Sequence, residues 1–463
     1  MLLFLNKNVM NHLKLILLVL SLPSFFIAAA LPPDSTTRLI DRAAAVVLID
    51  EGRQMLTQGR TRDALTRFRE ARNRDRFSSR AAFWVAQAHY NLSNYGYARK
   101  YATIAEQLSS ERDGDILFLL GQAYHRENKL DSAIVHYRMA DYELSRAKRR
   151  AYRVNHCINE IVFADSIMNS GNSVRRVLIE DNVSSGYDDY SPFWLPDQGF
   201  FYFVSRRPDT KGGGLNPNDQ RYYEDIYKAR WNDAEKKWDS VTNELGRLNS
   251  IGFDAIGHIA DGGDRMYMTV NTSIVDVRNQ TKGSDICVAE RMGSGKWSTP
   301  KPIKNSSINT SYFDGTPTLT EDEQTMYFVS DRRGEKYMSD IYVVHKKGRR
   351  WGDAKPLPTT INTPYNETTP YITPDGKFLF FSSQGHLGMG GYDVYVSENL
   401  GGGNWSEPIN LGPEINSVND DTHFKYYIDQ DKAFVASYRL QGSKASIDIF
   451  QLNMINWKIP RIN

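Results

Sequence analysis

The sequence predicts an α + all-β multidomain chain: a tetratricopeptide-repeat α-solenoid followed by a β-propeller. Two regularities predict it. Before residue 170, marker alanines Ala64, Ala98 and Ala133 recur 34 and 35 residues apart. After residue 187, Asp-apolar-aromatic segments begin at Asp225, Asp285, Asp340, Asp393 and Asp448, with spacings of 60, 55, 53 and 55. The first period belongs to paired helices and the second to four-stranded propeller blades.

Residues 1–30 read as a secretory signal peptide. Lys7 and Lys14 supply the positive start, Leu15–Ala30 is apolar, and Ala28-Ala29-Ala30 suits cleavage. Translation from Met10 would leave a shorter positive region. An uncleaved anchor is the alternative, although the apolar run is short for a span and holds Pro23. No cysteine follows the run, so a lipid anchor is not expected.

Residues 36–170 read as three helix pairs and a capping helix. Small residues (Gly52, Ala64, Ala86, Ala98, Gly121, Ala133) fall where paired helices cross, and aromatics such as Phe68 and Tyr137 fill the spaces between. Ala151, Val154, Ile158, Ile161 and Ile167 keep helical spacing and predict the cap. Arg146, Lys148, Arg149, Arg150 and Arg153 would form its outer face, either solvated or docking an acidic partner. Asn169–Asn172 reads as the linker.

Residues 174–463 read as the propeller. Each repeat opens with a carboxylate and a short apolar strand, then an aromatic strand ending in Ser or Thr, the Asp-apolar-aromatic strand, and Trp, Pro and Ile-Asn. The second strands (Phe200–Val204, Met266–Met268, Met326–Val329, Phe378–Phe381, Ala433–Ala436) are nearly all apolar, as expected for strands covered on both faces. Trp238, Trp297, Trp351 and Trp405 should anchor the start of the outer strands. Five repeats predict five blades, with Val174–Asp181 supplying the outer strand missing after Asp448. A sixth blade split between Val174–Asp181 and Asn453–Asn463 is the alternative.

Candidate sites lie on the face that carries the strand 2–3 loops. The first loop, Arg206–Glu224, is long and Gly-rich, and Asn271–Ser284 is also long. Unequal loops on a repetitive scaffold suit binding. Arg206, Arg207, Tyr222, Tyr223, Arg332 and Arg333 are therefore candidate partner-binding residues, with Arg149, Arg150 and Arg153 of the solenoid. The arginine pairs can instead bridge blades. Asp189, Asp254, Asp314, Glu367 and Asp421 form a carboxylate ring that could hold a cation; capping of backbone N–H groups at the blade junctions is the plainer role.

Composition narrows the function. There are 57 basic and 55 acidic residues, a net charge of +2, which speaks against a nucleic-acid binder. Two cysteines, Cys157 and Cys287, make no disulfide framework and are expected to be free, buried thiols. Nucleophile-elbow, zinc-protease and phosphate-loop motifs are missing, so no catalytic residue, resident metal or cofactor is assigned.

The propeller repeats resemble the TolB-type, WD40-like repeats of exported bacterial proteins over about residues 187–452. The resemblance rests on S-P-F-W-L-P-D-Q at 191–198, T-P-D-G-K-F-L-F-F-S-S at 373–383, G-G-Y-D-V-Y-V-S at 390–397 and W-S-E-P-I-N-L-G-P-E-I-N-S at 405–417. With the solenoid and the signal sequence, the chain resembles a periplasmic Bacteroidota family of tetratricopeptide–propeller proteins that includes a component of the type IX secretion system. The resemblance implies a non-enzymatic interaction scaffold on the periplasmic side of the outer membrane, with protein partners among outer-membrane or secretion components. Family members often carry an OmpA-like domain; this sequence stops at Asn463, so peptidoglycan anchoring is not carried over. A propeller that binds carbohydrate or a peptidoglycan fragment through its first loop is the alternative.

Overall fold

The computed structural model describes residues 37–168, 174–180, 182–216, 219–271, 283–333, 338–441 and 444–460. The expected signal peptide, the linker at 169–172 and most of the second strand 2–3 loop lie outside them. Among the described residues, no helix is long and apolar enough to cross a membrane.

Three helix pairs open the described chain: α1 (Leu39–Thr57) with α2 (Thr61–Arg74), α3 (Ser79–Asn91) with α4 (Tyr95–Leu108), and α5 (Gly114–Arg126) with α6 (Leu130–Glu143). Ala64, Ala98 and Ala133 are fully buried at the crossings. Close approach is what those positions need. A β-carbon on Gly121 would stand 2.5 Å from the Tyr137 ring, so only glycine lets α5 and α6 pack as they do. Ser78 and Asp113 cap α3 and α5 by accepting backbone N–H bonds.

The cap differs from its expectation. It is two helices, α7 (Arg146–Ala151) and α8 (Val154–Ile167), and the basic run belongs to the first and to the turn after it. Ser145 caps α7, and Arg153 takes a left-handed conformation (φ 55°) that ends one helix and starts the next. Alternating charge and apolar spacing could not reveal that break, because a non-glycine residue with positive φ has no strong sequence signal. The inward face of α8 (Val154, Ile161, Ala164) is buried as the spacing predicts.

The propeller has five blades. Blade 1 comprises Asp189–Leu195, Phe200–Ser205, Asp225–Asn232 and Lys237–Thr242. Blade 2 comprises Phe253–Ala260, Arg265–Asn271, Asp285–Glu290 and Lys301–Pro302. Blades 3 and 4 open with Asp314–Leu319 and Glu367–Ile372, and blade 5 with Asp421–Tyr427. In blade 5 the outer strand is Arg175–Leu178, antiparallel to Lys444–Asn453 with Arg176 opposite Leu452. The two ends of the domain thus share one sheet, and the six-blade alternative fails because Arg175–Leu178 is already paired there.

Apolar burial explains the closure. Five clusters form, one between each pair of adjacent blades; the last joins Phe434 and Ile449 of blade 5 to Phe201, Phe203 and Tyr227 of blade 1. A ring leaves no blade face uncovered and only short edges. Trp297 and Trp405 are buried between blades as anchors, and Trp351 is half-buried. Cys157 and Cys287 are free; Cys287 is buried, whereas Cys157 is only half-buried, a correction to the expectation. Burial pushes both thiols up to about 12.

The solenoid docks on the propeller face that carries the strand 2–3 loops of blades 4 and 5. His125, buried in α5, lies 2.7 Å from the Met389 carbonyl. A carbonyl only accepts, so Nε2 carries the proton; burial lowers this imidazole to about 4 and keeps it neutral. Arg126 donates to the Val418 carbonyl at 3.0 Å and sits 3.6 Å from Asp420. Ser93 bonds Tyr438 at 3.1 Å. Gly390 (φ 141°) gives His125 room, since a β-carbon there would come within 2.8 Å of the imidazole.

Candidate functional site

The propeller face carries a five-fold joint, the axis beneath it and a cavity at the mouth. At the joints, Asp189, Asp254, Asp314, Glu367 and Asp421 are fully buried. Each accepts a backbone N–H from a Ser or Thr four residues earlier: Ser185 (2.7 Å), Ser250 (2.6 Å), Thr310 (2.6 Å), Thr363 (2.8 Å) and Ser417 (2.6 Å). The same hydroxyls donate to the same carboxylates at 2.7–2.8 Å. The geometry is the capping role, repeated at every blade junction. Among the described residues, no His, Cys, Asp and Glu group has a metal-holding arrangement.

One residue before each Ser or Thr from blade 2 onward stands an asparagine. Asn249, Asn309, Asn362 and Asn416 each accept from and donate to the backbone of the strand-3 residue Ile226, Ile286, Ile341 or Val394. The asparagine amide so replaces a strand edge for its own blade, while the next residue caps the following one. The sequence displays this as Ile/Leu-Asn-Ser/Thr-x-x-x-Asp/Glu, and only the spacing of four between hydroxyl and carboxylate could have revealed the link.

The second oxygens of the five carboxylates are treated unequally. Asp189 receives Arg207 at 2.9 Å and Asp314 receives Arg332 at 2.5 Å. Asp421 lies 3.4 Å from Arg176, and Glu367 accepts from Ser383 at 2.7 Å. Asp254 Oδ1 has no partner. Burial pushes Asp254 and Glu367 up to about 7, and Asp225 at the start of strand 3 up to about 6.

The predicted partner-binding residues fall in three places. Arg207 and Arg332 do the same structural task in blades 1 and 3: each also holds carbonyls of the preceding connection, Val183 at 2.8 Å and Ile308 at 2.8 Å. Arg333 pairs with Asp340 at 3.1 Å. Tyr222 packs edge-on against Tyr187, and Tyr223 against Phe253. Arg206 turns the other way, toward the axis, and pairs with Asp219 at 2.7 Å.

The third place is the seam between the domains. Arg153 donates to the Gln384 carbonyl at 2.9 Å and lies over the Tyr365 ring at 3.4 Å. Arg146, Arg149, Arg150 and His156 line the same cleft of about 520 Å³, with Asp141 its one acidic residue. Arg149 bonds the Asp141 carbonyl at 3.1 Å. Arg146 and Arg150 are exposed, and their side chains make no hydrogen bond or ion pair among the described residues.

The axis holds a cluster that sequence reading missed. Strand 1 of every blade shifts register near its middle. Ser191, Thr316, Thr369 and His423 take positive φ there, strained conformations held by their surroundings. Beyond the bulge, Lys425 of blade 5 donates to the Gly257 carbonyl of blade 2 at 2.6 Å, with the Phe193 ring 4.5 Å away. Burial pulls this amine down to about 7, and its charge, after burial itself, holds His258 and His423 down to about 3. These residues plug the channel. Their equivalents differ in type from blade to blade, so no periodic signal marks them.

Above the plug the face opens into a cavity of about 370 Å³ lined by Tyr190, Arg206, Glu224, Phe253, Thr316 and His423. Glu224 accepts the Tyr190 phenol, and burial raises its carboxyl. Arg206 Nη2 and Thr316 Oγ1 are buried atoms without a hydrogen-bond partner.

No protein-family model matches the chain. No curated protein matches it either. Solved structures resemble it by parts. The first tetratricopeptide domain of Spaghetti (RPAP3), bound to an HSP90 peptide, is similar at 18% identity over 27% of this chain and 95% of that one, with a TM-score of 0.25. An endo-arabinase from Bacteroides thetaiotaomicron is similar at 15% identity over 62% of this chain and 99% of that one, with a TM-score of 0.37. The α-L-arabinofuranosidase PaAbf62A from Podospora anserina, in complex with cellotriose, is similar at 9% identity over 60% of this chain and 94% of that one, with a TM-score of 0.38. These likenesses concern fold, and no activity is taken from them. The class is that of a tetratricopeptide solenoid fused to a five-bladed propeller.

Proposed function

We propose that the chain is an exported, non-enzymatic scaffold on the periplasmic side of the outer membrane, serving a secretion or outer-membrane complex in the manner of PorE of the type IX system. The sequence resemblance and the apolar N-terminal stretch support the setting. One observation carries the mechanism: the seam binds the two domains into one body and sets four arginines around a cleft with a single acidic residue. In this reading an acidic segment of a partner protein enters the cleft, pairs with Arg146 and Arg150, and contacts both domains at once. Guanidinium groups suit that task because their planar forks bind carboxylates in pairs.

Affinity purification from native envelopes tests the reading. The native chain should retain an envelope protein in low salt. The Arg146→Glu, Arg150→Glu double variant should lose it, and added salt should weaken it. Retention unchanged by both treatments would remove the cleft from the account.

A further inference from the structure

We propose that the mouth of the propeller axis is a binding site for a neutral, hydroxyl-rich sugar unit. The cavity lies in the centre of the face, with walls from blades 1, 2, 3 and 5, and is separate from the arginine cleft. Its volume, about 370 Å³, falls toward the lower end of the ~300–1,000 Å³ typical of small-ligand pockets.

Two buried donors await a partner there. Arg206 is 91% buried; its Nε holds the Tyr222 carbonyl at 2.6 Å and its Nη1 holds Asp219 at 2.7 Å, yet Nη2 has no bond. Thr316 Oγ1 is likewise unpaired. Buried polar atoms are nearly always satisfied, so two open ones lining one cavity, from blades 1 and 3, call for acceptors supplied from outside.

Charge selects the ligand class. Arg206 faces two carboxylates, Asp219 and Glu224, so the wall has no spare positive charge for a free anion, and burial raises the Glu224 carboxyl and disfavours its charged form. Glu224, held by the Tyr190 phenol, offers an acceptor to a ligand hydroxyl. Phe253 and Tyr190 supply aromatic surface for the apolar face of a sugar ring. A group that both donates and accepts at several points, without net charge, satisfies all of these; a sugar hydroxyl array does so. The long first loop brings Arg206 and Asp219 to this wall, which gives the Gly-rich insertion a purpose.

Saturation-transfer NMR with the full chain and a panel of neutral mono- and disaccharides tests the site, with acetate, phosphate and methylamine as the charged probes. At least one neutral sugar should show transfer at about 10 mM or below. Thr316→Ala and Arg206→Lys should each lower its affinity about tenfold, one lost hydrogen bond apiece. Lys236→Ala, exposed on blade 1 and part of neither site, should leave it unchanged. The small Thr316→Ala change keeps the test sound even if Arg206→Lys disturbs the loop. No transfer from any neutral sugar, preference for a charged probe, or affinity unchanged in Thr316→Ala would each overturn the proposal.

Discussion

Asp254→Asn should stabilise the propeller, and increasingly so as pH rises. Asp254 is fully buried; Oδ2 accepts from Ser250 twice, and Oδ1 has no partner. Asparagine keeps the acceptor and removes the charge. Burial has pushed the carboxyl from 3.8 to about 7. The folded state therefore binds its proton more tightly than the unfolded chain, so the group's contribution to stability is full below pH 3.8 and is lost as pH rises through 7. At ~1.36 kcal/mol per pKa unit, the native aspartate costs at most about 4 kcal/mol at pH 8 and under about 1 kcal/mol at pH 4. Relaxation of the site reduces this, so a gain of ~1–4 kcal/mol is expected at pH 8. The assay is urea unfolding followed by tryptophan fluorescence, which reports the propeller because Trp84 alone lies in the solenoid. A variant less stable than the native chain at pH 8, or a gain equal at pH 4 and pH 8, would refute the reasoning.

Lys425→Met should show the opposite pH trend. The buried amine is lowered to about 7, so its stabilising contribution, present above pH 10.5, is lost as pH falls to 7; the variant's advantage should be largest below pH 7 and shrink toward pH 10 in the same unfolding assay. Asn362→Ala removes three buried hydrogen bonds, to Ile341 N–H, Ile341 C=O and Leu357 C=O, and should cost about 3 kcal/mol or more by urea unfolding. Arg126→Met loses the bond to Val418 and the pairing with Asp420, about 2–3 kcal/mol of coupling. Far-UV circular dichroism and fluorescence should then report separate transitions for solenoid and propeller, where the native chain shows coincident ones.

Repetition decided what could be read in advance. The blades announce themselves because every copy must present an apolar second strand and an aspartate opening the third, and the helix pairs because every crossing needs Ala or Gly. The strand at 175–178 was legible because blade 5 lacked an outer strand. Features that occur once left no such trace. Arg153 breaks the cap through its own backbone conformation, and the break carries it to Tyr365 and Gln384. Arg206 and Arg207 are neighbours of one type, yet the alternation of side chains sends one to the cavity and the other to Asp189. Lys425 occupies the position just beyond the bulge where the other blades place Phe193, His258, Thr318 or Tyr371, and only closure of the ring brings these together. The docking of His125 and Arg126 joins residues more than 260 apart in sequence, beyond any local pattern.

The scaffold reading meets its most direct test in site-specific photo-crosslinking from position 150 in the intact envelope, with exposed Lys236 on blade 1 as the control position. The account predicts an adduct from position 150 alone, mapped to an acidic segment of an envelope protein and abolished by Arg146→Glu. Adducts confined to the chain's own propeller, or equal adducts from both positions, would contradict it.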